Sequence, residues 1–194
     1  PGSVREFYTY DEEDRVVSVL RDGILKEMEY DAFGRVTKVY QTLQGGTRAL
    51  IERHRYDEYF SGMPGGNPKG LLTSSDIVEF EPDGTDIGIV RINYSYDDKK
   101  RPIFVSTRYS DGSELVEEKE YTFSGEISSS SYTFRYGSHI DELVLDYYYD
   151  RRGRLAYETA RLNAAGTQPR IAQVEYGYDA LGRPGHVIVS VPGG

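Results

Sequence analysis

The pattern Tyr-x-Tyr-Asp-x-x-Gly-Arg, followed by an apolar residue, recurs along this chain and constrains its fold more than any other feature. Tyr8-Thr9-Tyr10-Asp11 with Arg15 is the first copy, and Tyr30-Asp31 with Gly34-Arg35 the second. Tyr94-Ser95-Tyr96-Asp97 with Arg101 follows, then Tyr147-Tyr148-Tyr149-Asp150 with Gly153-Arg154. Tyr176-Gly177-Tyr178-Asp179 with Gly182-Arg183 is the last and fullest. Asp14 and Lys100 stand where the other copies have glycine. Weaker copies fill the gaps at Tyr56-Asp57, at Phe80-Glu81-Pro82-Asp83-Gly84 and at Tyr121-Thr122-Phe123-Ser124-Gly125, the last with Ser124 in the aspartate place.

Each part of the pattern has a physical reason. Side chains alternate along a strand, so Tyr-x-Tyr puts two rings on one face. Aspartate bonds its own backbone two residues on and starts a turn. Glycine takes the positive φ that short hairpin loops demand. Arginine opens the return strand, its stem laid along a ring and its head meeting an acid. Every copy therefore reads as strand, tight turn, strand. Helical periodicity is nearly absent: Thr42 to Arg53 holds one helical turn, but Gly45-Gly46 favours a hairpin loop. Thr159 to Ala165 reads as a short helix or, given Gly166-Thr167-Gln168-Pro169, a loop.

The expected fold is all-β: one meandering antiparallel sheet of successive hairpins over residues 1–194, with roughly 12–16 strands. A sheet that wide rarely stays flat, so it is expected to be curved or partly rolled. Ser61 to Gly70 is rich in glycine and proline and is expected to be a loop within the sheet. Pro1-Gly2-Ser3 and Val191-Pro192-Gly193-Gly194 read as loop ends. With 18 tyrosines, 21 glycines, no tryptophan and 38% hydrophobic residues, the composition suits a single layer or thin sandwich better than a thick core.

The five strong copies resemble the YD-repeat (RHS-repeat) family of bacterial surface and toxin-associated proteins. Tyr176-Gly177-Tyr178-Asp179-Ala180-Leu181-Gly182-Arg183 is nearly that family's consensus. The resemblance implies a long antiparallel sheet of hairpins, which in large members coils into a hollow shell around a toxic cargo. It also implies a bacterial exported protein, secreted, periplasmic or on the cell surface, with its signal segment outside this chain.

Function is narrowed mostly by exclusion. A net charge of −9 repels phosphate backbones and anionic lipid, so nucleic-acid and membrane-surface binding are not expected. No run approaches the ~20 apolar residues of a membrane helix. Without cysteine no disulfide forms. His54, His139 and His186 have no metal-ligand spacing, and the turn carboxylates Asp11-Glu12-Glu13-Asp14 and Asp97-Asp98 do not match an EF-hand, so no metal or cofactor is expected. No nucleophile elbow or phosphate loop occurs, and the expectation is not an enzyme. Tyr8, Tyr10, Tyr94, Tyr96, Tyr147, Tyr149, Tyr176 and Tyr178 form the candidate binding stripe, for sugar rings or a partner protein; the plainer reading makes them the sheet's own packing. Asp11, Asp31, Gly34, Arg35, Asp97, Asp150, Gly153, Arg154, Asp179, Gly182 and Arg183 are repeat positions with structural roles. The leading expectation is a structural or interaction module. The alternatives are a carbohydrate-binding surface and a fragment of a toxin-encapsulating shell. Oligomeric state is left open.

Overall fold

The computed structural model describes residues 5–43, 45–58, 62–80, 85–163 and 170–191. Every helix or strand among them is a strand. In chain order these are β1 (Glu6–Tyr10), β2 (Val16–Arg21), β3 (Ile24–Tyr30), β4 (Val36–Thr42) and β5 (Arg48–Tyr56). Then come β6 (Leu72–Phe80), β7 (Asp86–Tyr96), β8 (Pro102–Arg108), β9 (Glu114–Tyr121) and β10 (Ile127–Tyr136). The last four are β11 (His139–Tyr149), β12 (Leu155–Asn163), β13 (Arg170–Tyr178) and β14 (Pro184–Ser190). Each pairs antiparallel with its sequence neighbours, giving one 14-stranded sheet in the order β1 to β14. β1 and β14 do not meet, so the sheet is open with two edges.

The architecture is the all-β meander expected, with a strand count inside the expected range. The helical alternatives give way to strands: Arg48 to Arg53 lies in β5 and Thr159 to Asn163 in β12. The reading of Phe80 to Gly84, and those for Pro1 to Ser3, Ala164 to Pro169 and Pro192 to Gly194, fall wholly or largely outside the described residues.

Every connection from an odd strand to the following even one carries the repeat's turn, with Tyr-Asp in six and Tyr121-Thr122 between β9 and β10, so all seven lie at one end of the sheet. In six of them, all but the β5–β6 connection, the geometry is a tight turn closed by a residue in the left-handed region. In the second copy the Gly34 N–H donates to Asp31 O at 3.1 Å, and the Asp31 N–H to Arg35 O at 2.9 Å. Gly34 and Gly153 adopt φ of 76° and 74°; Asp14 and Lys100 take the same place at 60° and 65°. A bulge follows each turn. Tyr10 pairs with Val16 and Thr9 with Ser18, leaving Val17 extra. The same slip recurs at Thr37, Thr73, Ile103, Ser128, Ala156 and Gly185. A bulge bends the strand and re-aims side chains, and here it always follows the arginine position by two residues.

Residues directly opposite in register share a face. Following the pairs across the sheet puts Tyr8, Tyr10, Tyr30, Tyr56, Tyr94, Tyr96, Tyr121, Tyr132, Tyr147, Tyr149, Tyr176 and Tyr178 on one side, the tyrosine face. The opposite, charged face carries cross-strand ion pairs such as Glu29–Lys38, Glu27–Arg48 and Asp76–Arg91.

The described residues form no single core. The buried apolar residues are Val39, Ile51, Val90, Val116 and Val144, and register divides them between the two faces. Total accessible surface is 13004 Å². A compact monomer of 22.0 kDa would expose about 9,300 Å², so this sheet exposes roughly 1.4 times as much. Stability must come from neighbour-to-neighbour contacts along the sheet, as in other repeat architectures.

The glycine- and proline-rich segment replaces the short loop of the third Tyr-Asp turn. β5 and β6 pair directly, so it is an insertion within the sheet. It closes like the other turns: Asp57 N–H donates to Leu71 O at 3.1 Å, Leu71 N–H to Pro68 O at 2.8 Å, and Gly70 has φ 85°. It also leans on the next turn, with Gly66 N–H donating to Tyr96 O at 2.6 Å. A Cβ on Gly66 would lie 2.9 Å from the Asp98 nitrogen, so only glycine fits that approach.

Candidate functional site

The Tyr-Asp end of the sheet is built as a chain of identical joints. In five of the turns the aspartate does three things. Asp150 Oδ1 accepts the N–H groups of Arg152 and Arg154 at 2.8 and 3.0 Å, and Oδ2 accepts Arg154 Nε at 2.8 Å. Asp11, Asp31, Asp97 and Asp179 repeat this set with Arg15, Arg35, Arg101 and Arg183. Aspartate at this spacing both starts the turn and fixes the arginine that ends it.

Between turns the tyrosine makes the joint. Its hydroxyl donates to a backbone carbonyl of the preceding hairpin, the one on the residue after the arginine position. Tyr30 reaches Val16 O at 2.5 Å, Tyr56 Val36 O at 2.9 Å, and Tyr96 Leu72 O at 2.7 Å. Tyr121, Tyr149 and Tyr178 reach Pro102, Ile127 and Leu155, each at 2.8 Å. The preceding hairpin's guanidinium then lies over the same ring: Arg15 over Tyr30, Arg35 over Tyr56, Arg101 over Tyr121 and Arg154 over Tyr178, at 4.1–4.9 Å. Arg101 and Arg154 each bury an Nη1 without a hydrogen-bond acceptor, and the electron-rich ring face compensates it. Where Leu71 and Glu126 hold the arginine place, no cation covers Tyr96 or Tyr149.

The eight tyrosines of the candidate stripe thus divide. Tyr96, Tyr149 and Tyr178 are joint residues with their hydroxyls engaged. Tyr94 and Tyr147 are half-buried in the second row, and burial raises the Tyr94 pKa. Tyr176 donates to Glu158 Oε1 at 3.0 Å, which raises its pKa. Tyr8 and Tyr10, on edge strand β1, are exposed at 46% and 58%. Tyr30, Tyr56 and Tyr121 belong to the same spine, as do Arg15 and Arg101. The tyrosine immediately before the turn-starting aspartate or threonine is the signal that finds them; counting only Tyr-x-Tyr pairs passes them by.

One alignment changes. In the fifth hairpin Thr122, not Ser124, holds the aspartate place. Its N–H donates to Glu126 O at 2.8 Å, and its Oγ1 accepts the N–H groups of Gly125 and Glu126 at 3.1 and 3.2 Å. A threonine hydroxyl can supply the turn-starting acceptor, so the repeat continues without its acid.

The histidines stay apart. His54 bonds Ser75 Oγ at 2.9 Å, while His139 and His186 lie on β11 and β14. No cluster of three or more potential metal ligands occurs among the described residues. No helix there is long and apolar enough to cross a membrane.

The turn aspartates are held below the usual carboxylate range. For Asp150 the Arg154 side chain and then its backbone N–H lower the pKa to about 2. In Asp11, Asp31 and Asp179 the arginine backbone N–H leads. A depressed pKa means the unfolded chain binds more protons. The stabilisation is therefore complete above the unfolded value near 4 and disappears as pH falls towards 2. Thermal melts followed by circular dichroism are expected to give a flat Tm from pH 7 to about 5 and a cooperative fall between about 4 and 2. An unchanged Tm at pH 2.5 would show that the turns do not depend on the carboxylates.

The two sheet edges present complementary halves of a joint. At β1, the Tyr10 hydroxyl has no preceding hairpin to donate to. At β14, Arg183 is 72% exposed in its side chain, with no ring beneath it. Every residue of both strands is exposed. β14 reads Pro-Gly-His-Val-Ile-Val-Ser; Pro184 and the Gly185 bulge protect its start, but no lysine or acid follows, and Val187 and Val189 are exposed at 56% and 65%.

Comparison with known proteins finds likeness in structure only. No family model and no curated protein matches the chain. A crystal structure of TcdB2-TccC3 lacking its hypervariable C-terminal region superposes with TM-score 0.72 at 18% identity. It covers 98% of this chain and 9% of that one. A Tc holotoxin pore from Photorhabdus luminescens, carrying a TccC3 variant, gives 0.63 at 17% identity over 96% of this chain and 9% of that one. Likeness at that identity establishes the fold, and the chain spans about a tenth of the length of these neighbours.

Proposed function

We propose that this chain is a wall segment of a larger, exported bacterial YD-repeat sheet, a non-catalytic structural module continued at both edges by further hairpins. The observation that carries this reading is the pair of half-joints. A preceding hairpin would give Tyr10 a carbonyl and an arginine; a following one would lay a tyrosine under Arg183. The uncharged, apolar run Val187-Ile188-Val189 of β14 suits a strand that pairs rather than one that ends a sheet. The absence of a shared core agrees, since a wall needs only nearest-neighbour contacts. The resemblance to a shell-forming family and the superposition on short stretches of two Tc toxin structures support the same reading. The turn carboxylates are committed to arginines and backbone N–H groups, which leaves them poorly placed for acid–base work.

Immunoblotting of the source bacterium with antibody against this chain tests the proposal. The expected result is a species several times larger than 22.0 kDa in the secreted or envelope fraction. A band near that mass would overturn it and indicate a small stand-alone protein.

A further inference from the structure

The long insertion and the turn between β8 and β9 enclose a groove on the charged face, away from the tyrosine spine. Its volume is about 1140 Å³, a little above the usual range for ligand clefts. Met63 stands at one end and Tyr109 and Ser110 at the other, with Asn93 and Ser106 on the floor.

A row of charges runs across the sheet in register, Arg53, Asp76, Arg91, Arg108, Glu114 and Arg135, each directly opposite the next; Arg91, Arg108 and Glu114 of this row line the groove, together with Arg55 and Asp86. The groove lining thus carries three arginines and two acids, in a chain whose net charge is −9. Each acid of the row, Asp76 and Glu114, is shared by two guanidiniums. Asp76 takes Arg91 Nε at 2.6 Å and Arg55 Nη2 at 2.9 Å. Glu114 takes Arg135 Nη1 at 3.0 Å and Arg108 Nη2 at 3.6 Å. Arg91 and Arg108 oppose one another with no acid between them. Like charges in that position destabilise a sheet, and nothing in the hairpin pattern requires them. Both side chains are more than half exposed, at 54% and 67%, and each guanidinium has five donors of which these contacts use few.

We propose that this groove binds a carboxylate-bearing ligand of the class of a short acidic peptide, with one carboxylate bridging Arg91 and Arg108. A planar carboxylate matches the guanidinium fork. It would also remove the repulsion between the two arginines. Ile89 and Phe104 supply apolar walls for the stem of a glutamate or aspartate.

Fluorescence anisotropy with a fluorescein-labelled hexaglutamate peptide tests this, in about 150 mM salt, where the Debye length of about 8 Å screens the chain's overall negative field. Saturable binding is expected. Arg108→Gln and Arg91→Gln should each weaken it by ~10-fold or more, the size of one lost charge-assisted contact. Arg183→Gln, at the far end of the sheet, should leave it unchanged. Arg108 makes only one long contact, so its variant should keep the parent melting curve, and a loss of binding there is not a loss of folding. Equal binding of a hexaglutamine peptide would overturn the proposal. So would no saturable binding, or full affinity in the Arg108→Gln variant.

Discussion

Replacing Asp76 with alanine is expected to cost about 3 kcal/mol of stability, read from urea unfolding. The magnitude follows from what the carboxylate holds. Asp76 is 8% exposed, on the strand where the sheet is most buried, beside Ser74 and Ser75. Burial alone would raise its pKa, but hydrogen bonds from Arg91 and Arg55 outweigh that and hold it below the ordinary range. Removing one partner of a buried charge cluster typically costs about 3–5 kcal/mol, because the remaining charge is left desolvated. Arg91 can turn to water, which places the effect at the lower end; Arg55 is held against Ser74 and cannot move so freely. Asp76→Asn keeps the shape and should cost less. A loss under 1 kcal/mol in the alanine variant would show that water replaces the carboxylate and that the triad is ornamental to stability.

The second large effect concerns the joint. Tyr96→Ala is expected to destabilise by about 3 kcal/mol, combining a half-buried ring with a lost hydrogen bond. Tyr96→Phe isolates the hydroxyl and should cost about 1 kcal/mol, since the Leu72 carbonyl loses its donor. Tyr10→Phe is the control. On edge strand β1 its hydroxyl donates to no carbonyl among the described residues, so the change in this chain should fall within about 0.5 kcal/mol. Equal effects at the two positions would mean that the hydroxyl–carbonyl bond does not couple hairpins. Because each hairpin touches only its neighbours, a weak joint should also broaden the unfolding transition in this open sheet.

These joints explain why the fold was so legible and where legibility stopped. Tyr-x-Tyr alternation marked strands, and Asp-x-x-Gly marked turns, because both express backbone chemistry within a few residues. The Gly45-Gly46 loop and the insertion after Asp57 were readable for the same reason. The fifth turn was misaligned by two residues, because Thr122 does an aspartate's work with a hydroxyl that composition does not advertise. The stripe of eight tyrosines was a grouping by spacing, and spacing could not separate rings tied to a carbonyl from rings at a free edge. That division depends on partners 14 to 24 residues away, as in Tyr30 with Val16 and Tyr96 with Leu72.

From the amino-acid sequence alone follow the strands, the tight turns, the placing of two tyrosines on one face of a strand and a composition unsuited to a thick core, all of them consequences of period-2 alternation, local turn chemistry and composition. Only the tertiary structure decided which tyrosine couples to which hairpin, that both edges end in half a joint, and that Arg91 and Arg108 stand side by side. The physical reason is register. Each bulge inserts one residue, and a shift of one residue moves every later side chain to the other face. Cross-strand neighbours are therefore set by the sum of the bulges, which no single stretch of the chain records.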